Sequence, residues 1–318
     1  SVYPTIISGT NTKVVITSTP NGFDLFYQLW TNSIEGRNEY ANFSVDWWDV
    51  PGRDKDWKEK TIANTSEDQF RQEFEAEFLG SSNTLISPNV LRTLAFVTPI
   101  STHYEGSLKV YEEPKDTSLY FCVVDTARGV GIDFSAFVII DASVVPYRVV
   151  ACYKNNTIAP LVYPEVIYNV AKSYNEAFTL IEINDNGQQI ADILHNELEY
   201  ENTIFTTVKG RAGQVIGGGF SANFQRGVRT TKQVKRIGCA NLKTMIEKDK
   251  ILLNDFDLIN EFSTFVQRKS SYEADIGAHD DLVMCLVLFA WATNQTFFKD
   301  LTDTDFRKKL LEDREKLI

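Results

Sequence analysis

Acidic residues set at the edges of apolar runs are where this sequence has the means to do chemistry. Asp125 closes Cys122-Val123-Val124-Asp125, Glu182 lies within Leu180-Ile181-Glu182-Ile183, and Asp280-Asp281 opens the run that continues as Leu282-Val283-Met284. An ionised carboxylate is costly to bury without a partner, so two acids in strand-like runs and a third at a helix start call for a shared cation. A site built of carboxylate oxygens suits Mg²⁺ or Mn²⁺. Two such ions held roughly 3.5–4 Å apart cleave phosphodiesters, one activating water and the other stabilising the leaving oxygen. That chemistry needs no catalytic His, Cys or Ser. Plainer readings exist for some of these acids: Asp125 as a turn residue, Asp280 and Asp281 as helix caps. Glu182 resists such a reading because its strand should be buried. Asp133, at the start of the next apolar run, is either a turn acid or a further ligand if the hairpin folds it back towards Asp125. His279 either orients an acid or assists proton transfer, or is structural.

These residues have to be positioned by a mixed sheet. Strands are expected at Leu119–Val124, Ser135–Ala142 and Tyr147–Tyr153, separated by turns at Arg128-Gly129-Val130-Gly131 and Val144-Val145-Pro146. A helix at Leu161–Tyr174, a strand at Phe178–Ile183, a helix near Gln188–Leu198 and a strand at Thr203–Val208 follow. Three short strands in a row form an antiparallel meander, and strands alternating with helices add parallel neighbours. The first strand is then central, and Asp125 at its end stands beside Glu182. Residues Gly210 to Gly227 read as a long loop, with Phe220 and Phe224 able to pack or stack, and helices follow at Thr231–Lys248, Asp255–Val266 and Asp280–Trp291. Upstream, Lys13 to Pro20 reads as a strand into a turn at Asn21-Gly22, with helices near Asp24–Trp30, Asp54–Asn64 and Ser66–Phe78; Ser66 or Thr65 is the candidate cap of the last. One strand among several helices is not a self-sufficient α/β domain.

Composition narrows the partners. The 318 residues carry a net charge of −11, which argues against a protein that coats DNA along its whole surface. Lys209, Arg211, Arg226, Arg229, Lys232, Lys235 and Arg236 nevertheless form a local basic stretch. Such residues either solvate a helix face or hold DNA through its phosphates without reading sequence. The four cysteines lack Cys-x-x-Cys spacing and the three histidines are scattered, so buried reduced thiols are expected rather than zinc or disulfides. No apolar run is long enough to span a bilayer, and the first residues have no signal-peptide pattern.

Taken together, the motifs resemble the large terminase subunit of tailed bacteriophages, the DNA-packaging motor, and its T-even-like branch in particular. Val15 to Gly22 followed by Phe26-Tyr27 and Trp30 looks like an ATPase coupling motif, with Thr17, Ser18 and Thr19 at its centre. Gln69 to Phe74, Gly80 and Thr84 to Ser87 look like the end of the ATPase region. Asp125 with Arg128-Gly129 and Asp133, Ile181 to Asn184, Leu198 to Glu201, Lys243 to Lys250 and His279 to Met284 look like the nuclease domain.

The resemblance implies an α/β chain: a ribonuclease-H-like mixed sheet flanked by helices, preceded by a mostly helical fragment of an ATPase domain. Its implied divisions are residues 1–90 for that fragment, 91–115 for a linker, 116–300 for the nuclease and 301–318 for a charged C-terminal helix. It carries a metal-binding triad onto Asp125, Glu182 and Asp281, with Asp280 a ligand or a cap. It implies a Mg²⁺- or Mn²⁺-dependent endonuclease, with two ions, cutting double-stranded DNA with little sequence preference during genome packaging. Implied partners are the portal protein and the small terminase subunit, in a ring on the portal. The implied setting is the cytoplasm of the infected host, with no membrane and neither virion retention nor secretion. No Gly-x-x-x-x-Gly-Lys-Ser/Thr loop occurs, so the expectation is a partial product that does not hydrolyse ATP alone. The alternatives are a resolvase- or integrase-type nuclease of the same fold, which would have no reason to carry a motor fragment, and a non-catalytic DNA- or portal-docking module.

Overall fold

The structure, a computed structural model, describes residues 13–20, 25–34, 36–76, 83–126, 131, 133–210, 213–217, 224–269 and 271–303. Readings that fall on Asn21, Gly22, Gly80, Arg128, Gly129, Arg211, Phe220 and the charged helix beyond Asp303 lie outside the described residues. The chain divides into two compact units, Ser1–Gly80 and Ser81–Ile318.

The first unit is helical, with α1 (Leu25–Ile34), α2 (Lys55–Asn64) and α3 (Glu67–Phe74). Asp54 and Ser66 begin α2 and α3 by accepting the N–H of Trp57 (2.8 Å) and Gln69 (3.1 Å). Those bonds satisfy donors that a first helical turn leaves open. The edge of Trp57 meets Phe74 at 5.3 Å and Phe70 lies 5.2 Å from Phe74, which ties α2 to α3. Residues 13–20 form neither helix nor strand among the described residues, and Thr17, Ser18 and Thr19 are exposed. The strand expected there does not form, because strand propensity makes no sheet without a neighbour to share its hydrogen bonds.

The second unit begins with a short α4 (Pro88–Leu91) and is built on a sheet. Its strands are β1 (Ser101–His103), β2 (Leu108–Val110), β3 (Tyr120–Asp125), β4 (Ser135–Asp141), β5 (Tyr147–Asn155), β6 (Phe178–Ile181) and, further along the chain, β10 (Ile251–Leu252). Their order is β1-β2-β5-β4-β3-β6, with β10 also on β5. β3, β4 and β5 form the antiparallel meander that the turn spacing predicts, and β6 joins β3 in parallel with Val124 opposite Ile181. Alternation then sorts the faces. Cys122 and Val124 join the core around α5 (Tyr163–Ser173), while Phe121 turns the other way to meet Phe289 at 6.0 Å and Phe298 at 4.8 Å. That second face is covered by α9 (Asp281–Ala292), whose residues from Leu282 to Ala292 are all buried. Behind α9 lie α7 (Lys232–Glu247) and α8 (Phe256–Thr264), and α10 (Thr296–Thr302) follows it.

Several segments depart from the sequence reading. Residues 91–115, read as linker, carry β1 and β2, which extend the main sheet. The strand expected at Thr203–Val208 contributes only β7 (Phe205–Val208), which leaves the main sheet and pairs with β8 (Gln214–Ile216) and β9 (Phe224–Arg226). The stretch from Gly210 to Gly227 is thus partly a small sheet. Its three-residue strands are too short to show alternation. α8 ends before Val266, because β11 (Phe265–Arg268) folds back on β12 (Ser271–Ala274). The helix expected at Gln188–Leu198 is α6 (Gly187–Asp192), continued by a π turn over Ile193–Glu197. All four cysteines are free and buried. Among the described residues no single helix is long and apolar enough to cross a membrane.

Candidate metal centre

The parallel register of β3 and β6 brings Asp125 and Glu182 side by side. The Glu182 N–H donates to the Val124 carbonyl at 2.9 Å, and the Thr126 hydroxyl donates to the Glu182 carbonyl at 3.4 Å. Both side chains point to the α9 face. Asp125 is in step with Phe121 on β3, and Glu182 is in step with Phe178, whose ring meets Phe297 at 5.8 Å. Ile181 and Ile183 turn into the opposite core.

The backbone around Glu182 is held by two glycines. A Cβ on Gly187 would lie 1.8 Å from the Glu182 carbonyl oxygen. A Cβ on Gly227, at φ +98°, would lie 2.3 Å from the Ile181 carbonyl oxygen. Only glycine allows both the left-handed turn at 227 and this approach. Val228 then donates to the Ile181 carbonyl (2.8 Å) and Ile204 to that of Thr179 (2.8 Å), so the small sheet is tied to the β6 edge beside the acid. Asn184 Nδ2 donates to Glu182 Oε1 at 2.9 Å.

α9 delivers the remaining carboxylates. Asp280 occupies the N-cap position but caps no amide of its helix; Oδ2 accepts the Ala274 N–H at 3.2 Å and lies 3.9 Å from Lys235 Nζ. Asp281 Oδ2 is buried and has no hydrogen-bond partner. Its nearest basic side-chain nitrogens are Lys154 Nζ at 3.6 Å and the His279 ring Nδ1 at 3.8 Å. Burial, then the hydrogen bond to and charge of Glu182, then the charges of Asp281 and Asp280 hold Asp125 well above the usual carboxylate range. Burial also raises Asp280 and Asp281, against the pull of Lys235 on the first and Lys154 on the second. The acids from three separate elements therefore feel one another's charge.

Among the described residues no three acid, His or Cys side chains stand close enough to hold an ion as they are. The donor chemistry nevertheless fits a hard divalent cation. Every candidate donor is a carboxylate oxygen, burial and the neighbouring acids hold Asp125 well above the usual carboxylate range, and Asp281 presents an orphaned buried oxygen.

Of the other residues singled out in the sequence, Asp133 is half-buried and no described contact joins it to these acids. The ring of its neighbour Phe134 meets His279 edge-on at 4.8 Å. The basic stretch divides. Lys209, Arg229, Lys232 and Arg236 are exposed. Arg226 pairs with Asp192 at 3.2 Å and lies 5.9 Å from both the Phe205 and Phe224 rings, so it is partly committed to the fold. Lys235 faces Asp280 and the Phe265 ring rather than an open surface.

Two residues beside the centre escaped the sequence reading. Lys154, at the end of β5, pairs with Glu261 on α8 and sits 4.5 Å over the Phe134 ring. Burial works against the Lys154 charge, but Glu261 and Asp281 outweigh it and keep it above its ordinary value. Glu261 Oε2 accepts the Val283 N–H at 3.0 Å, in the first turn of α9. An acid amid Ile259, Phe262 and other apolar helix positions was the available signal.

A family model described as the terminase RNaseH-like domain matches residues 122–292, and one for the N-terminal part of T4likevirus-type terminase large subunits matches residues 4–92. The terminase large subunits of Thermus phage G20c and Thermus virus P23-45 are each 22% identical to this chain, over 297 and 298 residues. Those alignments cover 86% of this chain and 54% of each relative, so the chain spans about half the length of the curated relatives it matches. The large terminase nuclease of phage G20c with bound magnesium superposes with a TM-score of 0.49 at 18% identity, over 67% of this chain and 98% of that one. The large terminase nuclease domain of Thermus phage P74-26 superposes with a TM-score of 0.44 at 17% identity, over 66% of this chain and 94% of that one.

Proposed function

The chain belongs to the terminase RNaseH-like domain family, and on that premise we propose that its second unit is a divalent-metal-dependent endonuclease. It cuts double-stranded DNA with little sequence preference during phage genome packaging. What supports this reading is that Asp125 on β3 feels the charges of Glu182, just past β6, and of Asp281 at the start of α9, and that Asp281 Oδ2 has no hydrogen-bond partner. These three carboxylates would hold Mg²⁺ or Mn²⁺, as a pair of ions, and Asp280 would be either a fourth ligand or the anchor of the 274–281 turn through Ala274. Bound divalent ions supply an activated water and stabilise the leaving oxygen.

The protein's own part is to orient and exclude. Packing of α9 and the β3–β6 pairing fix the carboxylates on rigid elements, which a two-ion site requires. Lys209, Arg229, Lys232 and Arg236 hold backbone phosphates and give affinity without sequence readout. The larger assembly, with portal protein and small terminase subunit in a ring in the host cytoplasm, belongs to the same proposal. So does the coupling role of Thr17, Ser18 and Thr19, and the absence of ATP hydrolysis by this chain alone.

Incubating supercoiled plasmid with the protein and Mg²⁺ or Mn²⁺ tests the central claim. Nicking and linearisation that EDTA abolishes, and that Asp125→Asn and Asp281→Asn each reduce by at least about a hundredfold, are expected. Intact plasmid with both metals, or variants that cut like the parent, would leave a docking module as the better reading. A preference for branched over linear duplex would favour a resolvase.

A further inference from the structure

Lys154 stands between two carboxylates and is drawn to one of them. Its Nζ donates to Glu261 Oε1 yet stops 3.6 Å short of Asp281 Oδ2. Glu261 is only 5% exposed and is fixed from its other side, where Oε2 accepts the Val283 N–H at 3.0 Å. The glutamate therefore registers both the lysine and the helix that carries Asp281. Asp281 Oδ2 accepts no hydrogen bond although an ammonium with three donors is this close. An ammonium free to turn would close the gap, since charge-assisted N–H···O bonds settle near ~2.8 Å.

We propose that Glu261 is a positioning residue for the metal centre: it holds Lys154 back, so that Asp281 Oδ2 stays open to a divalent ion. The proposal rests on the reading of Asp281 as a metal ligand. Glu261 itself touches neither metal nor DNA. Lys154 is the residue that competes with the ion for Asp281, and Glu261 decides how strongly.

Titration calorimetry of the DNA-free protein with MnCl₂, with free Mn²⁺ counted by electron paramagnetic resonance, tests this. Glu261→Gln keeps an acceptor for the Val283 N–H but loses the charge that restrains Lys154. Drawing Nζ from 3.6 Å to ~2.8 Å from the ligand oxygen, at an effective dielectric of about 20, weakens Mn²⁺ binding about tenfold. Adding Lys154→Met to Glu261→Gln removes the competitor and returns the affinity to the parent value or tighter. A purely structural Glu261 would lower the melting temperature without that rescue. The proposal is overturned if Glu261→Gln binds Mn²⁺ like the parent, or if the double variant binds no better than Glu261→Gln. A parent protein that binds no Mn²⁺ would instead remove the metal centre itself, and the positioning role with it.

Discussion

Asp125→Asn is expected to stabilise the metal-free protein while abolishing cleavage. Asp125 sits against Glu182 with Asp281 and Asp280 nearby, and its carboxyl is held well above its ordinary value of 3.8. Two unit charges ~4 Å apart at an effective dielectric of about 20 repel by ~4 kcal/mol. Uptake of a proton by Asp125 relieves part of that repulsion, and Asn relieves it permanently. Asn also keeps the acceptor for the Thr126 N–H, which lies 2.9 Å from Oδ1. We expect about half of the repulsion, ~2 kcal/mol, to appear as added stability at neutral pH, or roughly 4–8 °C in melting temperature. The pH dependence has a definite sign. With the folded value above the unfolded one, the folded protein binds more protons between the two. The parent's stability from this group is complete below 3.8 and is lost as pH rises through the folded value. The gap between variant and parent therefore closes in acid and opens towards neutrality. On the proposed metal centre, Mg²⁺ is expected to reverse the order, because only the parent would gain from binding it. Thermal melts between about pH 4 and pH 8, in EDTA and in Mg²⁺, measure all of this. A variant that melts below its parent in EDTA at neutral pH, or a gap that does not change with pH, would refute the account of opposed carboxylates.

Gly227→Ala puts a methyl group against the Ile181 carbonyl and a side chain at φ +98°, and is expected to cost about 2–4 kcal/mol in chemical denaturation. Replacing Lys209, Arg229, Lys232 and Arg236 with Gln weakens duplex binding on every sequence alike and flattens the slope of log K against log salt by up to about 3.6; an effect confined to one sequence would contradict phosphate contact. Arg226→Gln lowers stability by about 1 kcal/mol through lost packing on Phe205 and Phe224, whereas Arg229→Gln does not, and equal melts for the two would erase the division drawn between them. Burial pushes the Cys239 thiol up to about 11 and the other three cysteines are also buried, so a thiol reagent at pH ~8 labels the protein only after unfolding.

The acids were legible because burial is legible. Val123, Val124, Leu180 and Ile181 announce covered strands, and an acid that ends or interrupts such a strand needs a reason to be there. The meander also followed from turn spacing, the parallel β6 from the alternation of strands and helices, and the helix over Leu282 to Trp291 from an unbroken apolar run. Strands of two or three residues were not legible: β2 and β10 gain their identity from β5, and β1 from β2, not from a pattern of their own. The same limit hid the β7–β8–β9 sheet within a glycine-rich stretch. Lys154 and Glu261 lie 107 positions apart in the chain, and no local pattern joins them. Charge counting likewise grouped Arg226 and Lys235 with exposed neighbours, because sequence proximity does not tell a side chain folded onto Asp192 or Asp280 from one pointing to solvent.

α9 is enclosed on every side from its second residue to its last, and Asp281 is its first. A segment packed that densely cannot swing or slide without dismantling the core around it. The acid it bears is consequently part of the domain's permanent skeleton, not of any moving part. If the proposed nuclease reading holds, timing of strand scission has to be imposed from outside, by what reaches these oxygens and for how long.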